Sequence, residues 1–269
     1  MSKSEAILPR IKKDAILSML RRGERLDGRG LEEYREIQIE TGLIGKAEGS
    51  ALVRLGTTMV ITGVKAVLDR PFPDSPDQGI QIVNAELIPL ASPVFEPGPP
   101  GEEDVEISRV IDRGLRSAEM IKLEELALVP GEKVWAVFVD IYALDHDGNL
   151  IDASGLASVS ALLTAELEEV EIRGGEVERL GTKRPLPIGR VPVFVTIAKI
   201  GDKLVVDPTY EEELVMDARI TIVVDEEGCI TGVQKGLPGA FTYGEILQAR
   251  DMAIKAAGGL KEKLPERRI

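Results

Sequence analysis

One cysteine, Cys229, and one histidine, His146, are all that 269 residues contain of the two commonest metal-binding and nucleophile-activating side chains. A lone cysteine closes no internal disulfide and builds no zinc site by itself. A lone histidine removes most imidazole metal centres and catalytic triads. Asparagine occurs only as Asn84 and Asn149, which, beside plentiful Lys and Glu, fits a heat-adapted source. Runs of about 18 apolar residues are missing, so no membrane-spanning helix is expected. The first 16 residues mix Lys3, Arg10, Lys12 and Lys13 with Glu5 and Asp14 and lack the apolar core of a signal peptide. The expectation is a cytoplasmic chain with no membrane partner. Positive charge is also short: 33 basic against 46 acidic groups give a net charge of −13, the wrong sign for a protein coated in nucleic acid.

What is present is an ordinary globular balance, 43% hydrophobic and 29% charged, in a chain long enough for one large domain or two tightly packed lobes. Basic charge collects locally. Residues 1–30 carry eight basic groups against four acidic ones, so any RNA contact has to be a local feature on an acidic body. Residues 1–30 read as an N-terminal helix and basic arm. Residues 31–269 read as one structural unit, because no flexible linker interrupts them.

Along the chain, residues 9–20 carry a helical stripe (Ile11, Ala15, Ile16, Met19, Leu20) that Gly23 ends. Alternating segments follow around Ile37 and Ile39. Residues 50–55 and 58–67 flank Gly56-Thr57 as a hairpin, and residues 80–87 alternate again. Five prolines and two glycines make residues 89–101 a loop. A helix is expected over 104–122, a strand over 134–144, and a buried small-residue helix over 153–167 with an acidic rim at Glu166, Glu168, Glu169 and Glu171. Two further hairpins centre on Gly201-Asp202 and Glu227-Gly228, and a last helix spans 242–257, stopped by Gly258-Gly259. Strands, helices, then strands and a helix again make a mixed α+β protein.

The 104–122 helix gathers Ile107, Val110, Ile111, Leu115, Ala118 and Ile121 on one side. Arg109, Arg113 and Arg116 form a narrow row on the other. Such a row suits the phosphates of a single RNA strand. It equally suits a solvated face whose charges Glu106 and Asp112 relieve. The Gly236-Leu237-Pro238-Gly239 turn before the last helix offers a weak anion cradle. Asp145, Asp147 and His146 are explained by a turn, Glu211-Glu212-Glu213 by a helix start, and Cys229 by a β-turn. No metal site and no cofactor is expected.

Several segments resemble RNase PH-like proteins. Gly23-Glu24-Arg25-Leu26-Asp27-Gly28-Arg29 is similar to the family's opening motif, and residues 49–60 to its first hairpin. Ser108 to Arg116 resembles the family's RNA-facing helix, especially in archaeal exosome subunits. Residues 140–153 are similar to the strand-turn-helix that carries the phosphate site, and residues 206–212 to the entry of the last sheet. The resemblance implies an α+β, ribosomal S5 domain 2-like core of mixed sheets packed with helices. It also implies a hetero-hexameric ring with a catalytic RNase PH-like subunit, RNA-binding cap proteins and single-stranded RNA as partners. Active relatives degrade RNA from the 3′ end by phosphorolysis, with cations around inorganic phosphate and an acidic residue, usually with Mg²⁺, near the leaving oxygen.

The chain departs from the active pattern twice. Active members carry Gly-Ser/Thr-Arg-Thr/Ser before the small-residue helix, where this chain has Gly148-Asn149-Leu150-Ile151-Asp152. They also carry Gly-Glu-Ala-Asp before an apolar strand, where this chain has Met216-Asp217-Ala218-Arg219. A silent ring subunit is therefore expected, gripping RNA through Arg109, Arg113 and Arg116 and having no catalytic residue of its own. The rivals are a self-sufficient phosphorolytic exoribonuclease using Asp217 as the acid, a pure assembly scaffold, and a small-molecule kinase of related fold, which should show a Gly/Ser-rich ATP loop that is not seen.

Overall fold

The computed structural model describes residues 7–174 and 176–268, with side chains from Lys13 onward. Of the basic arm, Lys3 and the side chains of Arg10 and Lys12 lie outside the described residues.

Helix α1 (Ile7–Leu20) precedes strands β1 (Ile37–Thr41), β2 (Gly49–Leu55), β3 (Thr58–Asp69) and β4 (Ile80–Leu87). Then come α2 (Glu102–Ser117), a short 3-10 turn (Leu123–Leu126), β5 (Ala127–Val129), β6 (Lys133–Asp145) and α3 (Leu150–Leu163). After them, β7 (Glu166–Arg173) and β8 (Glu176–Pro185) form a separate hairpin. The chain continues through β9 (Val193–Ile200), β10 (Lys203–Val206), the short α4 (Tyr210–Glu213), β11 (Ala218–Val224), β12 (Ile230–Gly236) and α5 (Tyr243–Lys261).

Two sheets carry the fold. The first runs β1-β2-β3-β6-β4 with β5 against the start of β6, and the second runs β10-β9-β11-β12. β4 pairs with β6 in parallel, which requires a crossover. The connection through α2 supplies it, and that fixes α2 against the first sheet. On β9, Phe194 and Thr196 face α3, whereas Lys199 on the alternate face reaches Glu245 of α5 at 2.7 Å. α2 and α3 therefore lie between the sheets, and α5 covers the far side of the second. Phe194 is the hinge pin of this packing. A Cβ at Gly114 of α2 or Gly155 of α3 would stand 2.2 or 2.4 Å from its ring, so both helices need a glycine at that contact. All 14 residues of α3 are buried, hence its lack of a solvent-facing side.

Four boundaries differ from the sequence expectation. α2 ends at Ser117 rather than 122. Beyond it Glu119 takes φ 53° and Ile121 bridges Ile188, so Ala118 is buried as the helix's C-cap and Ile121 from the non-helical backbone after it. α3 starts earlier, at Leu150, and ends at Leu163. The acidic rim is strand β7, of which only Leu167 is buried. α5 continues through Gly258-Gly259 to Lys261, because Leu260 at 2% exposure anchors the final turn in the core. Among the described residues no helix is long and apolar enough to cross a membrane.

Candidate functional site

α2 begins with Glu102, Glu103 and Asp104 and carries Arg116 in its last turn, the polarity that the helix dipole favours. Its apolar side (Ile107, Val110, Ile111, Leu115) is buried, and that turns Arg109, Arg113 and Arg116 outward together, all three exposed. Their surroundings differ. Arg116 Nη2 donates to Asp112 Oδ1 at 2.9 Å and to the Gln81 carbonyl at 3.2 Å. Arg113 Nη2 donates to the side-chain carbonyl of Gln234 on β12 at 2.8 Å. Arg109 and Arg113 have no carboxylate partner among the described residues. Glu106, expected to relieve the row, instead pairs with Arg219 at 2.6 Å. The row is thus neutralised at one end and open at the other two positions, an arrangement able to take phosphate oxygens.

The β6-to-α3 turn is the second place where chemistry was expected. Gly148 (φ 86°) and Asn149 (φ 54°) are both left-handed, and Gly148 presses onto the backbone of residues 208–210, where a Cβ would meet Thr209 at 2.4 Å. This contact brings three carboxylates to the start of α3. Glu213 accepts the Asn149 backbone N–H at 2.9 Å. The Asn149 side-chain amide donates to Asp152 and to Asp207, each at 2.8 Å. Asp152 also accepts from the Tyr34 hydroxyl at 2.6 Å and from the N–H and hydroxyl of Thr196 at 2.9 and 2.7 Å. Burial nevertheless pushes Asp152 up to about 6, and burial pushes Glu213 up to about 7 although Arg219 and Arg35 lie near. The end of a helix that attracts anions is already occupied by the chain's own acids.

Cations from residues 25–35 answer this charge. Arg35 donates to Asp207 through Nε at 2.9 Å and Nη2 at 2.7 Å, and Arg29 does so at 2.8 Å. Arg25, 2% exposed, forms a two-pronged pair with Glu212, at 2.9 and 2.5 Å, and also donates to the carbonyls of Val206 and Asp207. Sequence reasoning passed over this network, since its partners lie far apart in the chain. The motif containing Arg25 and Arg29 and the segment 206–212 were its visible traces, with nothing to pair them.

Asp217 and Arg219 flank Ala218 at the start of β11. Burial opposes ionisation of Asp217, but Lys13 at 2.5 Å and the Gly201 N–H at 2.8 Å outweigh it and hold the carboxyl below its usual range. With both Asp217 oxygens engaged by Lys13 and Gly201, and Arg219 paired with Glu106, these residues do not fit a divalent cation. The Gly236–Gly239 turn is no anion cradle either. The Gly239 N–H donates to the Asp217 carbonyl at 3.0 Å, and Thr242 and Glu245 cap α5 reciprocally. His146 sits between Phe95 and Tyr210, with ring centroids 5.4 and 5.0 Å away, and burial lowers its pKa. It packs the 89–101 loop against α4.

Residues 33–168 match the profile of the 3′ exoribonuclease family, domain 1, and residues 190–256 match its domain 2. The chain is 52% identical to the exosome complex component Rrp42 of Pyrococcus horikoshii over 264 residues, 97% of this chain and 96% of that one. Its structure is similar to a chain of the Archaeoglobus fulgidus exosome with RNA bound to the active site: TM-score 0.88, 46% identity, 96% of this chain and 99% of that one. A chain of an archaeal exosome core is similar too, with TM-score 0.84 and 43% identity over 97% of this chain and 98% of the other.

Proposed function

We propose, from the premise that this chain belongs to the 3′ exoribonuclease family, that it is a non-catalytic core subunit of an archaeal-type exosome. In this reading it binds single-stranded RNA and completes the 3′-to-5′ phosphorolytic site of an active RNase PH-like partner. Its setting is a cytoplasmic hetero-hexameric ring that also meets RNA-binding cap proteins. Residues 31–269 act as one structural unit, tied to the opening segment by the Arg25–Glu212 and Arg29–Asp207 pairs.

The observation that carries the proposal is a contrast within one molecule. Arg109 and Arg113 stand exposed without carboxylate partners among the described residues, while the turn that holds phosphate in the active pattern is filled here by Glu213, Asp152 and Asp207. Cations on α2 are thus available to a strand, whereas the start of α3 is closed by carboxylates that the chain's own Asn149, Arg29 and Arg35 already engage. A self-sufficient enzyme with Asp217 as the acid is disfavoured, because Lys13 and Gly201 already engage that carboxylate. A pure scaffold leaves the open arginines without a purpose.

The test is to mix the chain with its catalytic partner and measure RNA affinity against salt. Replacing Arg109 and Arg113 by alanine should weaken binding and flatten the salt slope by ~0.7 for each phosphate no longer gripped. An unchanged affinity and slope refutes the RNA role. Phosphate-dependent release of nucleoside diphosphates by the chain alone refutes its silence.

A further inference from the structure

An open slot of about 400 Å³ lies between α2 and β12, the edge strand of the second sheet. Val110, Gly114 and Val223 supply its apolar wall, and Arg113, Arg116 and Gln234 stand on its rim. Its size falls within the ~300–1,000 Å³ of small-ligand clefts.

The strand carries an irregularity at this place. Val223 of β11 pairs with Gly232, but Val224 pairs with Ile230, so Thr231 is an extra residue on β12. Such a bulge re-aims a side chain and often borders a functional site. Thr231 lines the slot, and its hydroxyl oxygen is buried with no hydrogen-bond partner among the described residues. A buried hydroxyl left unpaired calls for a polar partner. The side-chain amide of Gln234 is on the same rim, its carbonyl holding Arg113 and its nitrogen donating one hydrogen to the Lys235 carbonyl at 3.1 Å, which leaves its second hydrogen for a ligand.

We propose that this slot receives one unstacked nucleobase of the RNA strand whose phosphates lie along the arginine row, a proposal that rests on the RNA-binding reading above. The apolar wall covers the base face and the guanidiniums of Arg113 and Arg116 border it. Thr231 and Gln234 meet its hydrogen-bonding edge. Unstacked bases are what side chains read in single-stranded RNA, and a π-face against apolar and guanidinium surface is a sequence-tolerant anchor. A base suits the slot better than a protein side chain because two cations stand at its mouth, and one of them, Arg113, has no carboxylate partner among the described residues.

Gly232 makes the proposal testable. A Cβ there would lie 3.4 Å from Ser117 Oγ and 3.5 Å from Val223 Cγ2, in ordinary contact, so Gly232→Leu fills the slot without straining the backbone. The whole chain, assembled with its catalytic partner, is titrated with an RNA oligonucleotide and with an abasic sugar-phosphate strand of equal length. Gly232→Leu should weaken RNA binding about tenfold, leaving abasic-strand affinity and the salt slope unchanged. Thr231→Val, nearly isosteric, should narrow a few-fold spread in affinity between oligo(A) and oligo(U). Wild-type RNA affinity in Gly232→Leu together with an unchanged spread in Thr231→Val overturns the proposal. Equal weakening on RNA and abasic strands also overturns it, as does failure of Gly232→Leu to join the ring, which assigns the slot to a protein neighbour. If the arginine variants weaken binding and the slot variants do not, only the base site falls. If neither does, the RNA reading falls with it.

Discussion

Arg219 of β11 and Glu106 of α2 form an ion pair of 2.6 Å, with the arginine side chain only 14% exposed. The guanidinium that stands where active relatives are expected to carry an acid is thus built into the packing of α2 on the second sheet. Arg219→Asp should not confer phosphorolysis on the isolated chain, because the start of α3 still faces Glu213, Asp152 and Asp207. It should lower stability by ~1–3 kcal/mol, since Glu106 loses its partner and gains a like charge. A diphosphate-release assay and a thermal melt check the two halves.

Arg25 and Glu212 are 2% and 1% exposed. Removing one partner of such a pair leaves an uncompensated buried charge. Arg25→Ala should cost ~3–5 kcal/mol in urea unfolding. Arg25→Lys should recover little of this, because an ammonium cannot reproduce the two-pronged contact.

Glu213 titrates near 7 in the folded chain against an ordinary 4.5. A raised acid binds its proton more tightly folded than unfolded, so its favourable contribution is complete below about 4.5 and is lost as pH rises through about 7. Glu213→Gln keeps an acceptor for the Asn149 N–H and removes the charge. It should melt higher than the parent by a few degrees at about pH 8, with the gap closing toward about pH 5. Asp152, raised to about 6, leaves a smaller slope of the same sign.

The three arginines should not count equally. Asp112 and the Gln81 carbonyl already hold Arg116, whereas Arg109 has no such partner among the described residues. Arg109→Ala should reduce the salt slope of RNA binding by ~0.7, and Arg116→Ala by clearly less. Asp112→Asn, which frees Arg116, should tighten binding. Fluorescence titrations of the assembled ring over a range of salt compare the three.

The hairpins at Gly56-Thr57, Gly201-Asp202 and Glu227-Gly228 were legible because turn chemistry and alternation agree there. The β7–β8 hairpin was not, since Glu166, Glu168, Glu169 and Glu171 mimic a solvated helix end and little of β7 is buried. In the same way the apolar stripe of α2 ran on past the true helix end, because Ala118 is buried as the C-cap and Ile121 by the non-helical backbone that follows. The arginine row could be read from local spacing alone. Asp207, Glu212 and Glu213 could not, since what makes them matter are partners more than 50 residues away, such as Asn149 and Arg25.

α3 is buried on every side, covered by β2 and β3 from one direction and β9 from the other. During synthesis on the ribosome the first cover exists before the helix does, and the second follows only later. A nascent chain ending before Val193 therefore shows one bare apolar flank of α3 to its surroundings. Truncated forms that stop short of the second sheet should aggregate rather than persist as a folded half. Chaperones that shield unfinished chains should engage this one most strongly in that interval.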